Sequence, residues 1–367
     1  MEKTGQLPAF EVTLSPGGLV GLVQCFGIQG SSMVPFTGGE ASAPTQDDLA
    51  QLRAARLMDA QDRLDAGLGA ALRAVVSSNA YGRVRLGLAK PELDAVVFHT
   101  ASGPVSLVTK GDKIRLNTRP DVEDLSRAIA QLTGVSMLRT VTLDVGVSSD
   151  AAACLVAALD ACRYALLQAL LDGSDPGAPA LTAHSIGSWL AQTAGRGQWL
   201  SARFLAGTSG RAAVTPAGVD MGLRELAAAG LLTAADTQYR CEDGLMDAAL
   251  RLAVLDNAAI LTAARGTSGN LAGATSIGAV RGGANGILIW ENGPDGSVHF
   301  MGLSPAGLLA IAANFLGNPE ALPTPKPQPQ VGAPVAASSA RPKFCAHCGN
   351  PIQPGDRFCR GCGQAIG

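Results

Sequence analysis

Residues 95–121 decide the fold: Ala95-Val-Val-Phe-His99, the turn Ala101-Ser-Gly103, Val105-Ser-Leu-Val108, the turn Lys110-Gly111-Asp112-Lys113, Ile114-Arg-Leu116, and then Thr118-Arg-Pro120-Asp121. Short apolar runs rich in β-branched residues, separated by Gly-containing turns, predict a strand meander. A residue with a capping side chain followed by Pro predicts a helix start, and Val122, Leu125, Ile129 and Leu132 fall at helical spacing behind it. The theme returns 190 residues later. Ile287-Leu-Ile-Trp290, the turn Asn292-Gly-Pro-Asp-Gly296 and Val298-His-Phe-Met301 form a hairpin, and Ser304-Pro305 then starts a helix with Leu308, Ile311, Ala312 and Phe315 inward.

The entry Leu14-Ser-Pro-Gly-Gly-Leu19 also mirrors Leu303-Ser-Pro-Ala-Gly-Leu308. Two readings stand: a duplicated α+β half, or the general frequency of Ser/Thr-Pro at helix starts. The fold class expected is α+β, with duplicated halves at 1–149 and 256–318 flanking a helical insert at 150–255. In the first half, Glu11–Leu14 reads as a strand, and Thr45-Gln-Asp-Asp48 as a capping box opening one long helix to about Val76. Met137–Val147 reads as a further strand. The insert reads as a helix over Ala153–Leu171, a second at Ser185–Ala194, a third from Thr215-Pro216 to Leu232, and a strand-like Gln238–Cys241. That order is winged-helix-like. A helix over Gly244–Leu255 follows, then the strand-like Ala259–Thr262. The Gly/Ala/Ser-rich stretch 264–286 is expected to be mainly loop.

Hydrophobic residues make up 47% of the chain and charged residues 16%, with mean hydropathy +0.21. With aromatics at 4%, Leu, Val, Ile and Ala must fill the core. Asp160 and Arg163 interrupt the longest apolar run, Ala151–Leu171, so no membrane-spanning helix is expected. The N-terminus lacks a basic segment followed by an apolar one, so the expected location is cytoplasmic. A net charge of −2 implies no strongly basic face for a polyanion. Cys25, Cys154, Cys162 and Cys241 stand singly in the sequence and read as buried free thiols. Residues 319–342 hold Pro323, Pro325, Pro327, Pro329, Pro334 and Pro342 among Ala, Ser and Gln. Such a composition cannot bury a core and predicts an extended tether, reaching roughly 70 Å at about 3.1 Å per residue.

Beyond the tether stands Phe344-Cys345-Ala-His-Cys348-Gly349, followed after a turn at Gly355-Asp356 by Phe358-Cys359-Arg-Gly-Cys362-Gly363. Two Cys-x-x-Cys pairs at this separation place four soft thiolates around one metal ion, the donor set that selects zinc. Redox-active Cys-x-x-Cys pairs are the competing reading. Residues 343–367 closely resemble the bacterial zinc-ribbon family, with Ile352 in the apolar slot between the pairs. The expectation is one structural zinc on Cys345, Cys348, Cys359 and Cys362. No coordination position is left open for catalysis, and the metal supplies the folding free energy of a module too small to fold alone. His347, between two ligands, is expected to stay unbound.

His99, His184, His299 and His347 share no ligand-like spacing. Gly266-Thr-Ser-Gly269-Asn-Leu-Ala-Gly273 lacks the Gly-Lys-Ser/Thr of a phosphate-binding loop, and no Gly-x-Ser-x-Gly elbow is present. No enzyme is therefore expected, an unrecognised enzyme class being the residual alternative. A winged-helix regulator of nucleic acid is a further alternative. Against it, residues 160–251 carry seven Arg, no Lys and nine acidic residues. The reading that remains is a non-catalytic protein-binding adaptor or chaperone with a tethered zinc ribbon. Its α+β halves with a helical insert resemble, in layout, the cytosolic chaperones of the ESX (type VII) secretion systems. That resemblance implies a protein partner and no enzymatic site.

Overall fold

The computed structural model describes residues 6–28, 43–87, 92–123, 125–126, 129, 141–193, 198–207, 214–267, 270–282, 286–293 and 295–319. The chain divides between Lys326 and Pro327, and the described residues all belong to the first unit. This unit is a mixed α+β fold, built on one ten-stranded antiparallel sheet.

The first five strands are β1 (Glu11–Leu14), β2 (Ala80–Leu86), β3 (Leu93–Thr100), β4 (Gly103–Lys110) and β5 (Lys113–Asn117). They stand in the order β1-β5-β4-β3-β2, with helices α1 (Pro16–Cys25), α2 (Gln46–Ala54) and α3 (Ala66–Val76) between β1 and β2. The second five are β6 (Asp144–Val147), β10 (Asn257–Thr267), β11 (Asn270–Gly282), β12 (Gly286–Asn292) and β13 (Val298–Leu303). They continue the sheet as β10-β11-β12-β13-β6. The central seam is β2 on β10, with Val84 opposite Leu261. In each set the first strand comes to the outer edge beside the last, β1 on β5 and β6 on β13. Thus β6, assigned by its sequence position to 1–149, pairs with the strands of 256–318.

Between β6 and β10 lie α4 (Ser149–Asp172), β7 (Ala180–Leu181), α5 (Ala183–Thr193), α6 (Leu200–Gly207), α7 (Pro216–Ala228), β8 (Leu232–Ala235), β9 (Gln238–Cys241) and α8 (Asp243–Arg251). The three short strands make a separate antiparallel sheet in the order β7-β9-β8. Helix α9 (Pro305–Gly317) ends the described chain.

Alternation along the strands sorts the core into layers. On β3, Val96 and Phe98 pack with Leu22, Leu52 and Leu72 of α1–α3, while Ala95 and Val97 pack with Leu308 and Phe315 of α9. On β12, Leu288 and Trp290 pack with α4 and its neighbours, while Ile287 and Ile289 join the α9 side. Both strands are covered on both faces, which is why their sequences are continuously apolar rather than alternating. The α9 side draws residues from both halves of the sheet, so α1–α3 and α4–α8 share the opposite face.

Several expectations are corrected by the structure. The single long helix after Thr45 is two helices. The capping box at Thr45/Asp48 is present, but Arg56 (φ 58°) and Asp62 (φ 60°) turn the chain back, and Asp59 accepts from the backbone N–H of Gln61 and Arg63. The stretch 264–286 is mostly a long hairpin, β10 with β11, not loop. Its small residues make room for large neighbours: a methyl at Gly278 would fall on the indole of Trp290 across the β11–β12 ladder. The expected strand over Met137–Val147 is confined, among the described residues, to Asp144–Val147. Most of the helix expected behind Asp121 lies outside the described residues.

Candidate metal centre and apolar surface

The four thiols Cys345, Cys348, Cys359 and Cys362 lie outside the described residues, as do His347 and the tether. Their fit to zinc rests on donor chemistry: four soft, anionic sulfurs in two Cys-x-x-Cys-Gly units, with glycine after each pair to let backbone N–H groups turn toward the thiolates. Among the described residues no three His, Cys, Asp or Glu converge on a point that could hold a metal ion.

The remaining histidines do separate work. His99 on β3 bonds through Nε2 to the Leu316 carbonyl oxygen at 2.8 Å, fastening the end of α9 to the sheet. His299 on β13 meets Asp144 of the edge strand β6 at 2.7 Å, both well exposed. His184 lies exposed on α5. Of the four isolated cysteines, Cys25 is exposed, contrary to expectation, because it ends α1 where the chain turns out; Cys154, Cys162 and Cys241 are buried. Burial, reinforced by the nearby Asp150, Asp220 and Glu225, pushes the Cys154 thiol up to about 12, so it stays protonated. A cleft of about 220 Å³ opens beside the β1–β5 edge, where Arg115 stands 3.8 Å from Glu11 and Asn117 donates to Glu11 at 3.1 Å.

The helical layer over β11–β13 carries the unusual chemistry. Helix α4 begins at the Ser148 cap and ends at Gly173 in the left-handed region (φ 64°); every residue from Ala151 to Asp160 is buried. It is long and apolar enough to cross a membrane by length and composition, but most of it is enclosed by protein. The two charges that interrupt it face inward and are paired, Arg163 donating to Asp160. Asp160 also accepts from the N–H of Leu200 at 3.0 Å and from the N–H and hydroxyl of Ser201 at 2.8 and 2.7 Å, which anchors the start of α6. Arg163 donates to the carbonyls of Leu252 (2.6 Å) and Gln198 (3.2 Å), tying in the end of α8. Burial pulls the Arg163 proton affinity down and Asp160 pushes it back up.

Arg163 also stands 5.6 Å over the Trp199 ring. Trp199, Trp189 and Tyr164 form one aromatic group, with centroids 5.1 Å apart for the two indoles and 5.8 Å for Tyr164 with Trp189. The insert also carries exposed apolar side chains: Leu170 is 74% and Leu171 79% exposed at the end of α4, and Met221 on α7, Leu250 on α8 and Val254 are exposed as well. Of the seven large exposed hydrophobic side chains among the described residues, only Leu271 lies outside the helical insert. The sequence offered a signal for this, in Leu167-Gln-Ala-Leu-Leu171, where apolar residues continue around the helix. What it lacked was which side the sheet would cover.

A family model of the zinc-ribbon domain matches residues 344–366. No curated protein matches the chain. Among solved structures, the chain is similar to the type VII secretion system chaperone EspG5 of Mycobacterium tuberculosis, determined in complex with a PE25-PPE41 dimer. The identity is 12%, the match covers 83% of this chain and 95% of that one, and the TM-score is 0.43.

Proposed function

We propose that this chain is a non-catalytic, protein-binding adaptor or chaperone: the α+β unit docks a protein partner through the apolar surface of its helical insert, and the zinc ribbon supplies a second contact. The observation that carries this reading is that six of the seven large exposed hydrophobic side chains among the described residues, Tyr164, Leu170, Leu171, Met221, Leu250 and Val254, fall in the helical insert. Exposed apolar groups concentrated on one part of a fold are typical of interaction sites. The aromatic group of Tyr164, Trp189 and Trp199 in the same insert supplies the rigid, amphipathic anchors that interfaces favour. In the ribbon, Cys345, Cys348, Cys359 and Cys362 hold one zinc ion, which is structural. The ribbon's match to a known zinc-ribbon family supports that assignment.

The test is affinity capture from the native host with the full chain, with a Leu170→Glu/Leu171→Glu variant, and with a chain ending at residue 319. A defined protein recovered with the full chain and lost with the double variant, at unchanged melting temperature, supports the reading. Recovery of the same proteins by the full chain and by the double variant overturns it.

The small sheet favours a second reading. Its order β7-β9-β8, with α7 leading into β8, is that of a winged-helix unit, in which α7 would enter the major groove. Helix α7 offers Arg224 but also Asp220 and Glu225, the latter committed to Ser148. Salt-sensitive retention of duplex DNA by the full chain, abolished by Arg224→Ala, would establish this reading instead.

A further inference from the structure

We propose that Cys162 and Cys241 form a disulfide site: a paired dithiol that a low-molecular-weight disulfide converts to an intramolecular cystine, stapling α4 to the small sheet of the insert. The two residues lie 79 apart in sequence, Cys162 on α4 and Cys241 at the end of β9. Folding brings their sulfurs to 3.0 Å, with the Cys162 thiol donating toward Cys241. A cystine holds its sulfurs about 2.05 Å apart, so the pair must close by roughly 1 Å to bond. Neither of the other isolated thiols competes. The Cys154 sulfur lies 3.6 Å from the Val219 carbonyl oxygen, and Cys25 is exposed at the end of α1, within a different core cluster's helices.

The chemistry has an order. Cys162 is fully buried, and its contact with Cys241, together with burial, pushes its thiol pKa far up. Cys241 keeps 7% of its surface open to solvent, so it meets the oxidant first. Cys241 loses its proton to solvent and attacks one sulfur of the small disulfide, expelling one thiolate. Cys162 then gives up its proton and attacks the Cys241 sulfur of the mixed disulfide, expelling the second. Two electrons pass from the cysteine pair to the oxidant, which leaves as two thiols. Because Cys241 is only slightly exposed and Cys162 not at all, the reaction is slow and speeds up when the insert opens, and the cystine once formed is shielded from reduction.

The cystine closes a loop that contains α5, α6, α7 and the three short strands. Oxidation is expected to raise the melting temperature by roughly 5–10 °C. The test uses the full chain with zinc bound, incubated with oxidised glutathione, trapped by alkylation in denaturant, and mapped as peptides without reduction. The expected result is one linked pair of peptides carrying Cys162 and Cys241, two hydrogens lighter than the separate peptides and released by dithiothreitol. The link persists in Cys154→Ala and is lost in Cys241→Ala. Recovery of Cys162 and Cys241 fully alkylated, under conditions that convert Cys25 to its mixed disulfide, overturns the proposal. So does linkage of either residue to Cys154 or Cys25 as often as to each other. The peptide map of the unaltered chain separates these outcomes even where Cys241→Ala does not fold.

Discussion

Asp48 holds Ser15 twice: its carboxylate accepts the Ser15 backbone N–H at 2.6 Å and the Ser15 hydroxyl at 2.8 Å, across 33 residues of chain. It also accepts the N–H and hydroxyl of Thr45, each at 2.8 Å. One fully buried carboxylate therefore fixes the caps of both α1 and α2. The second half of the sheet has a counterpart. Glu225 of α7 accepts the N–H and hydroxyl of Ser148, at 2.6 and 2.5 Å, where β6 turns into α4. In both halves a carboxylate from a later helix clamps the Ser that caps the helix behind the edge strand.

Replacing Asp48 by Ala should cost about 2–4 kcal/mol, because the N–H and hydroxyl of both Ser15 and Thr45 lose their acceptor and the two capping side chains lose the group that holds them in place. Acid should act through the same group. Burial pushes the Asp48 carboxyl up, but the hydrogen bonds from Ser15 and Thr45 outweigh it and hold the carboxyl below its usual 3.8. A lowered folded-state value stabilises the fold fully above the unfolded-state value, and that stabilisation is lost as pH falls through the folded value. Urea midpoints from pH 6 to pH 2.5 should therefore fall less steeply for Asp48→Asn than for the parent.

A larger loss should follow removal of Asp160. Arg163 is 3% exposed at its side chain and Asp160 0%. Asp160→Ala leaves a buried guanidinium without its counter-charge and frees the N–H groups at the start of α6. The expected cost is about 3–5 kcal/mol. The double variant Asp160→Asn/Arg163→Leu leaves no unpaired charge and keeps an acceptor for Ser201. It should lose less than the single variant, a comparison that equilibrium denaturation reads directly.

Helix starts were the most legible part of the sequence. Ser15, Thr45, Thr215 and Ser304 all cap as their residue types require, because a cap is a local hydrogen bond spanning three residues. The meander β3–β5 and the hairpin β12–β13 were equally plain, since their turns are local too. Strands β2 and β11, on either side of β10, were not. β2 reads Ala-Tyr-Gly-Arg-Val-Arg-Leu, with charges on alternate positions and a glycine inside, and the residues of β11 are mostly small. Such strands are stabilised by what crosses them, α9 over Gly82 and Trp290 over Gly278, and those partners are distant in sequence. The apolar surface of the insert was hidden for the same reason, since exposure is a property of the assembled layers. The zinc-ribbon domain, by contrast, was legible by spacing alone, and the family model matches it over 344–366.

The close approach at Gly82 gives a sharp test. A methyl there would fall on the carbonyl oxygen of Phe315 in α9, a backbone atom that cannot swing aside. Gly82→Ala should destabilise by about 1–3 kcal/mol or more, with faster hydrogen exchange in Pro305–Gly317. Gly187 is the control. It sits inside α5 with nothing within 4 Å of an added methyl, so Gly187→Ala should stabilise by roughly 0.5–1 kcal/mol.

Metal removal should separate the two units of the chain. The body up to Lys326 has three packed cores of its own, whereas the two dozen or so residues around the four C-terminal cysteines include only four large apolar side chains, Phe344, Ile352, Phe358 and Ile366. With so little surface to bury, the ribbon's folding free energy must come from the metal. A strong chelator should therefore abolish amide protection in 343–367 while leaving the melting of the body within a degree or so. Cys345→Ser should reproduce that pattern without chelator and lower bound zinc from about one per chain toward none, because three sulfurs leave the tetrahedron open to water and competing ligands. Zinc content unchanged by Cys345→Ser would mean that the metal sits elsewhere.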